Sequence, residues 1–316
     1  MTIIHALLAA QFLGCEQATE KPQPDPQPQD TSNTQPPESG DSADTADSVP
    51  HKDSGTGTDS AQPTEERTDP DHPWDGAIAD STEPASVRLV PYPLGSTTAS
   101  QGFYAYTPPG YPSDVQWPLI IALHGGGENG PGEGSDALPL LLNNGISQLM
   151  HEDHWPNDRP FVVLMPQHDG AGRPSADEVH SFISWALDNY PVATDHVALV
   201  AHSMGAYGAW EYLSIHRDAQ ISRFVPIAGS GTLAWNTAGC DLAAVPIWAF
   251  HGDVDEQVNV NGTIVPMDHL SGCPAPPAKQ NQYTIYPGVT HNSWTQTYDG
   301  SAGHDIFSWI LDPIDP

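Results

Sequence analysis

Val200-Ala201-His202-Ser203-Met204-Gly205 closes an apolar run and opens a segment of helical texture. The reading that follows is a strand over His196 to Ala201, a tight turn at Ser203 and a helix over Met204 to Ile215. A serine hydroxyl is a weak nucleophile unless it is held exposed beside a base, and a strand-turn-helix corner holds it that way. Ser203 is therefore the candidate nucleophile.

Three further stretches supply what such a serine needs. Pro118-Leu119-Ile120-Ile121-Ala122 is short, apolar and bounded by proline and glycine, so it reads as a buried strand. It runs into Leu123-His124-Gly125-Gly126-Gly127, where the absence of side chains lets backbone N–H groups approach a developing oxyanion. The N–H groups of Gly126 and Met204 are the expected pair. Val245 to Phe250 reads as another buried strand, followed by His251-Gly252-Asp253-Val254-Asp255. Either acid could orient an imidazole, and Asp255 fits an H-G-x-x-D spacing better than Asp253. The expected strand Gln282 to Tyr286 leads into Pro287-Gly288-Val289-Thr290-His291-Asn292-Ser293-Trp294, which offers His291 as the base.

Around these, the texture alternates. Val87 to Val90 and Gly102 to Tyr106 read as antiparallel opening strands, and Phe161 to Met165 and Phe224 to Ala228 as further buried ones. Asp136 to Met150, Ala176 to Tyr190 and Gly303 to Leu311 read as helices. Alternating strands and helices predict an α/β domain with a mostly parallel sheet covered by helices on both faces. In such sheets the site lies at the carboxyl ends of the strands. Ser203, Gly126, Asp255 and His291 all fall just after expected strands.

Residues 117 to 311 resemble the bacterial α/β-hydrolases of the phospholipase/carboxylesterase, dienelactone-hydrolase-like and feruloyl-esterase or polyhydroxybutyrate-depolymerase-like group. The segments that carry the likeness are Pro118 to Gly130, Val197 to Trp210, Pro246 to Val258 and Tyr286 to Trp294. The chain order Ser203, Asp255, His291 is also theirs. Two positions depart: Ala201 and Ala206 stand where glycine is commoner. The resemblance implies the α/β-hydrolase fold, a Ser203-Asp255-His291 triad and cofactor-free hydrolysis of a small or polymer-attached carboxylic ester. It leaves open a serine peptidase of the same fold, and a non-catalytic surface protein that keeps the fold. Trp235 and Trp294 are expected to wall a substrate pocket, and His202 to pack inward as a structural residue.

Composition bounds the rest. The chain has 316 residues and a formal net charge of −31. Between residues 16 and 75 it holds 15 acidic and 3 basic residues, almost no large apolar ones, and runs such as Lys21-Pro22-Gln23-Pro24-Asp25-Pro26. Such a segment cannot bury enough surface to offset ordering entropy. The remaining acidic surface argues against nucleic-acid partners and against attraction to anionic lipid. The apolar segment Ile3 to Leu13 has signal-peptide length, and Phe12-Leu13-Gly14-Cys15 resembles a bacterial lipobox. The expected organisation is a signal segment over 1–15 with lipidation at Cys15, a disordered acidic linker over 16–84, and a catalytic domain over 85–316. An extracytoplasmic protein, tethered to a membrane only through lipid on Cys15 or else secreted, follows. Cys240 and Cys273 remain, an even pair that suits a disulfide in an exported chain. His151-Glu152-Asp153-His154 lacks metal-ligand spacing, so no metal site is expected.

Overall fold

The computed structural model describes residues 72–133, 137–217, 220–274 and 280–313. All of them belong to one compact unit, Glu65–Pro316. The signal segment, Cys15 and the linker up to residue 71 lie outside the described residues.

Among the described residues eight strands form one sheet: β1 (Leu89–Tyr92), β2 (Phe103–Tyr106), β3 (Trp117–Leu123), β4 (Val162–Pro166), β5 (Val192–His202), β6 (Arg223–Ile227), β7 (Trp248–Gly252) and β8 (Gln282–Tyr286). Their spatial order is β1-β2-β4-β3-β5-β6-β7-β8. The pairs β1/β2 and β2/β4 are antiparallel, and every other pair is parallel. Among the described residues the α-helices are, in chain order, α1 (Gly145–His151), α2 (Ala176–Asn189), α3 (Met204–Ile215), α4 (Thr232–Ala238), α5 (Asn261–Ser271), α6 (Trp294–Tyr298) and α7 (Ile306–Leu311).

The central strands explain the layering. Leu119, Ile120 and Ile121 in β3, and Val197 through Ala201 in β5, are fully buried. Because side chains alternate across a strand, Leu119, Ile121, Val197, Leu199 and Ala201 pack into one apolar layer with Phe182 of α2 and Trp210 of α3. Ile120, Ala198 and Val200 pack into the other, with Met150 of α1, Trp294 of α6 and Phe307 of α7. Burial on both faces is why these strands read as unbroken apolar runs.

Several expectations need correction; β5 starts at Val192 rather than His196, and β7 at Trp248 rather than Val245. The helix expected over Asp136 to Met150 is broken: Leu138–Asn143 form a 3-10 turn, Asn144 is extended, and α1 starts at Gly145 with φ +72°. A side chain at Gly145 would lie 3.0 Å from His202 Cε1, so the break lets the chain pass close to the elbow. The first strand begins at Leu89, with Val87 in a 3-10 turn and exposed. The last helix starts at Ile306: Gly303 has φ +80°, and the Asp305 carboxylate caps the helix by accepting from the Phe307 and Ser308 N–H groups. The linker boundary at 84 is also late. Trp74 is 2 % exposed and belongs to the core, stacked on His72, and the Ala79 N–H donates to the Pro109 carbonyl.

Cys240, after α4, and Cys273, after α5, are joined by a disulfide with their Cα atoms 5.6 Å apart. Closing that loop removes freedom from the unfolded chain, so replacing both cysteines by alanine should cost about 3 kcal/mol of stability. Urea unfolding of the two proteins measures it; equal midpoints would mean the bridge constrains nothing.

Candidate active site

The elbow is built by steric demand on both sides of Ser203. Strand β5 ends at His202, Ser203 sits at φ 50°, ψ −122°, and α3 begins at Met204. Such backbone strain in a non-glycine residue costs about 1–3 kcal/mol and persists only where the surroundings enforce it. Here the Ser203 N–H donates to the Ile227 carbonyl at 2.8 Å, and the Gly205 N–H to the His124 carbonyl at 3.0 Å. A Cβ on Gly205 would lie 2.5 Å from that carbonyl oxygen, so only glycine fits. Gly205→Ala should therefore displace the elbow and cost about 2 kcal/mol or more of stability; a thermal melt matching wild type would contradict this. The departure at Ala206 has its compensation: a Cβ on Gly229 would lie 2.5 Å from the Ala206 methyl, and Gly229 has none.

The Ser203 hydroxyl lies 2.8 Å from His291 Nε2, and His291 Nδ1 lies 2.7 Å from Asp255 Oδ2. The sequence left Asp253 and Asp255 as alternatives, and the two have separate places. Asp255 meets the imidazole. Asp253 accepts from the Gly288 N–H at 2.6 Å and so holds the loop that carries His291. That loop lies close against β7. A Cβ on Gly252 would be 2.1 Å from the Val289 carbonyl oxygen, which is the physical demand behind the His-Gly dipeptide.

Asp255 is saturated with donors. Its Oδ1 accepts from the N–H groups of Gln257 at 2.8 Å and Val258 at 2.9 Å, and its Oδ2 also faces His251 Nε2 at 3.1 Å. Burial alone would raise the carboxyl. The His291 hydrogen bond and the Val258 and Gln257 N–H groups outweigh it and hold Asp255 below its ordinary value, so it stays ionised. His251 is fully buried, and burial pushes its imidazole down toward the neutral form. Neutral His251 then donates from Nε2 to Asp255 and the Val258 carbonyl, and accepts the Thr263 hydroxyl at Nδ1, 2.8 Å away. The sequence signalled this residue only as the first letter of His-Gly.

On the opposite side, Gly126 and Met204 are the first residues of their helical turns, whose own turns offer their N–H groups no acceptor. The Gly125–Gly126 peptide is oriented from behind. The Gly125 carbonyl accepts from His124 Nδ1 at 2.7 Å and from the Glu128 N–H at 3.3 Å. A trans peptide points its N–H away from its C=O, so the Gly126 N–H is turned away from His124.

His124 also accepts the His168 N–H at Nε2, 2.8 Å away, so both ring nitrogens are engaged by the neutral form. Burial pushes its pKa down to about 4. The unfolded chain, with a His pKa near 6.5, takes up this proton first as pH falls. Stability should thus drop between pH about 6.5 and about 4, by an amount on the order of 3 kcal/mol. Urea midpoints at pH 7 and 4.5 for wild type and His124→Gln test this; an equal acid loss in both would assign it elsewhere.

The aromatics expected at a pocket are placed otherwise. Trp294 is buried, stacked on His202 at 4.8 Å and edge-on to His291 at 5.2 Å, so it backs the His291 ring. Trp235 stacks on His269 at 4.9 Å and ties α4 to α5. An open groove of roughly 390 Å³ is lined by neither tryptophan but by Tyr207, Ser230, Thr232, Asn259, Asn261 and Val265. Tyr207 is one helical turn beyond Ser203, and Val258, which donates to Asp255, also lines the groove. Among the described residues no group of three or more His, Cys, Asp or Glu could hold a metal ion, and no helix is long and apolar enough to cross a membrane.

Comparison with solved structures decides the fold. The chain superposes on a thermostable esterase with a TM-score of 0.54 and 21 % identity, over 72 % of this chain and 63 % of that one. It has the α/β-hydrolase fold. A mutant of the feruloyl esterase module from Clostridium thermocellum, complexed with sinapinate, aligns at a TM-score of 0.50 and 17 % identity, over 71 % of this chain and 86 % of that one. A protein from Thermus thermophilus aligns at 0.50 and 16 % identity, over 72 % of this chain and 100 % of the other. No protein-family profile matches the sequence.

Proposed function

We propose that the chain is a serine hydrolase that cleaves carboxylic esters through an acyl-enzyme, exported and tethered through lipid on Cys15. The observation that carries the reading is the continuous chain from the Ser203 hydroxyl through His291 to Asp255, at 2.8 and 2.7 Å. Ser203 Oγ attacks the ester carbonyl carbon while its proton passes to His291 Nε2. The carbonyl oxygen becomes an alkoxide that accepts from the N–H groups of Gly126 and Met204. Collapse breaks the bond to the alcohol oxygen, which leaves with the proton from His291. Water, deprotonated by the same imidazole, then adds to the acyl-serine and releases the acid and Ser203. Asp255 holds the imidazole with Nδ1 protonated and Nε2 free to accept, and stabilises the imidazolium that forms.

The groove beside Tyr207 would give the substrate an uncharged lining in which the hydroxyls and amides of Ser230, Thr232, Asn259 and Asn261 stand among the apolar Val258 and Val265. A polymer-attached ester with an uncharged hydroxylated partner suits it. The test is hydrolysis of a p-nitrophenyl ester series from acetate to longer acyl chains. Turnover of the short esters is expected. Cleavage of aminoacyl-anilides with none of the esters would replace this reading with the peptidase.

A further inference from the structure

Behind the oxyanion loop lies a buried cluster that the proposed mechanism does not use. Glu128 is 3 % exposed and His202 4 %. One carboxylate oxygen of Glu128, Oε1, accepts from the Asn144 side-chain amide. The other, Oε2, is buried without a hydrogen-bond partner and lies 3.6 Å from His202 Nε2 and 4.0 Å from His124 Nδ1. His202 Nε2 meanwhile accepts the Gly125 N–H at 3.0 Å. The clamp closes tightly around Gly125: a Cβ there would lie 3.2 Å from His202 Nε2, His202 Cδ2 and Glu128 Oε2 alike.

Both backbone groups of Gly125 are thus held by imidazoles, the N–H by His202 and the carbonyl by His124. The second of these orients the Gly126 N–H, and the first fixes the peptide before it. A nitrogen that accepts cannot carry a proton. Once Nε2 is protonated, it can only donate, and the nearest unpartnered acceptor is Glu128 Oε2.

We propose that His202 is a positioning residue for the oxyanion loop, and that Glu128 competes with the Gly125 N–H for His202 Nε2. Neutral His202 holds the loop in its working form. Protonated His202 turns to Glu128 and releases Gly125, so the loop loses its hold on the acid side. The groups that face His202 are His124 and Glu128 from the loop after β3, and Tyr298 from α6, whose ring centre is 6.1 Å away. His291 lies beyond Trp294, which stacks on His202. This inference rests on the serine-hydrolase reading.

The test uses p-nitrophenyl acetate as substrate and a trifluoromethyl ketone as transition-state analogue. Ser203 Oγ adds to the ketone carbonyl, its proton moves to His291, and the resulting alkoxide sits in the oxyanion hole. His202→Leu removes the acceptor. It should lower kcat about 10- to 100-fold and weaken the ketone by the same factor, with KM within about twofold. His202→Gln puts an amide oxygen near the place of Nε2 and should recover kcat to within about threefold. Equal changes in KM and ketone affinity, or no recovery by glutamine, would overturn the proposal.

Glu128→Gln gives a second reading that does not require His202→Leu to fold. Removing the carboxylate takes away the acceptor to which a donating Nε2 would turn, so Gly125 keeps its hold further into acid and the acid limb of kcat/KM should move to lower pH. In the His202→Gln background the same change should move nothing. An unmoved limb in the first case, or a shift that persists in the second, would overturn the inference. Failure of the underlying reading looks different: wild type itself would neither turn over the ester nor form the ketone adduct, and both ideas would fall together.

Discussion

Ser203→Ala should lower kcat for a p-nitrophenyl ester by about 10⁵- to 10⁶-fold, to the level left by binding and the oxyanion donors alone. The size follows from the loss of the covalent route. Without Oγ, His291 Nε2 has no hydroxyl 2.8 Å away to deprotonate, and water must attack unaided. Alanine keeps the Cβ, and the φ of 50° is imposed by the Ile227 and His124 carbonyls rather than by the hydroxyl. The thermal midpoint should therefore stay within a few degrees of wild type, which separates lost chemistry from lost fold. Residual turnover near the wild-type rate would remove Ser203 from the mechanism.

Asp255→Asn should cost about 10⁴-fold in kcat, through the imidazole tautomer rather than through charge alone. The size is that of the same change in the well-studied serine-protease triad. The reason in this protein is specific. Asp255 Oδ1 accepts two backbone N–H groups, so the amide oxygen of an asparagine must take that place. Its NH₂ then occupies the position of Oδ2 and points at His291 Nδ1 and His251 Nε2. Facing a donor, His291 must keep Nδ1 unprotonated and carry its proton on Nε2, where it can no longer accept from Ser203. Asp253→Asn, which alters only the hold on Gly288, should leave kcat within about tenfold. Equal losses in the two variants would mean that the orienting acid has been misassigned.

The elbow was legible because its demands are local. A strand-turn-helix corner needs small residues beside the serine, and both the helix Met204–Ile215 and the strand Gln282–Tyr286 have the bounds expected from the sequence. The same holds for the glycine-rich loop and for His-Gly-x-x-Asp, where Gly252 is dictated by a backbone approach that leaves a spacing trace.

What the sequence hid depends on packing between distant segments. Asn143-Asn144-Gly145 interrupts a helical pattern whose apolar spacing is otherwise sound. The reason, that Asn144 reaches Glu128 and Gly145 passes His202, is tertiary. Trp74 sits in an acidic, proline-rich stretch whose average hides one buried ring. Trp294 was visible as an aromatic near the base. Only its stacking on His202 shows that it faces inward. His251 and Glu128 carried no signal beyond their motif positions, because a buried hydrogen-bond partner is chosen by geometry rather than by spacing.

The most direct measurement of the central claim is the intact mass of the full chain after treatment with a fluorophosphonate, with the adduct located by peptide mapping. The account predicts one phosphonyl group per chain, on Ser203, with esterase activity lost in step, and no adduct in Ser203→Ala. An unmodified wild-type protein, or an adduct on another residue that accompanies the loss of activity, would contradict it.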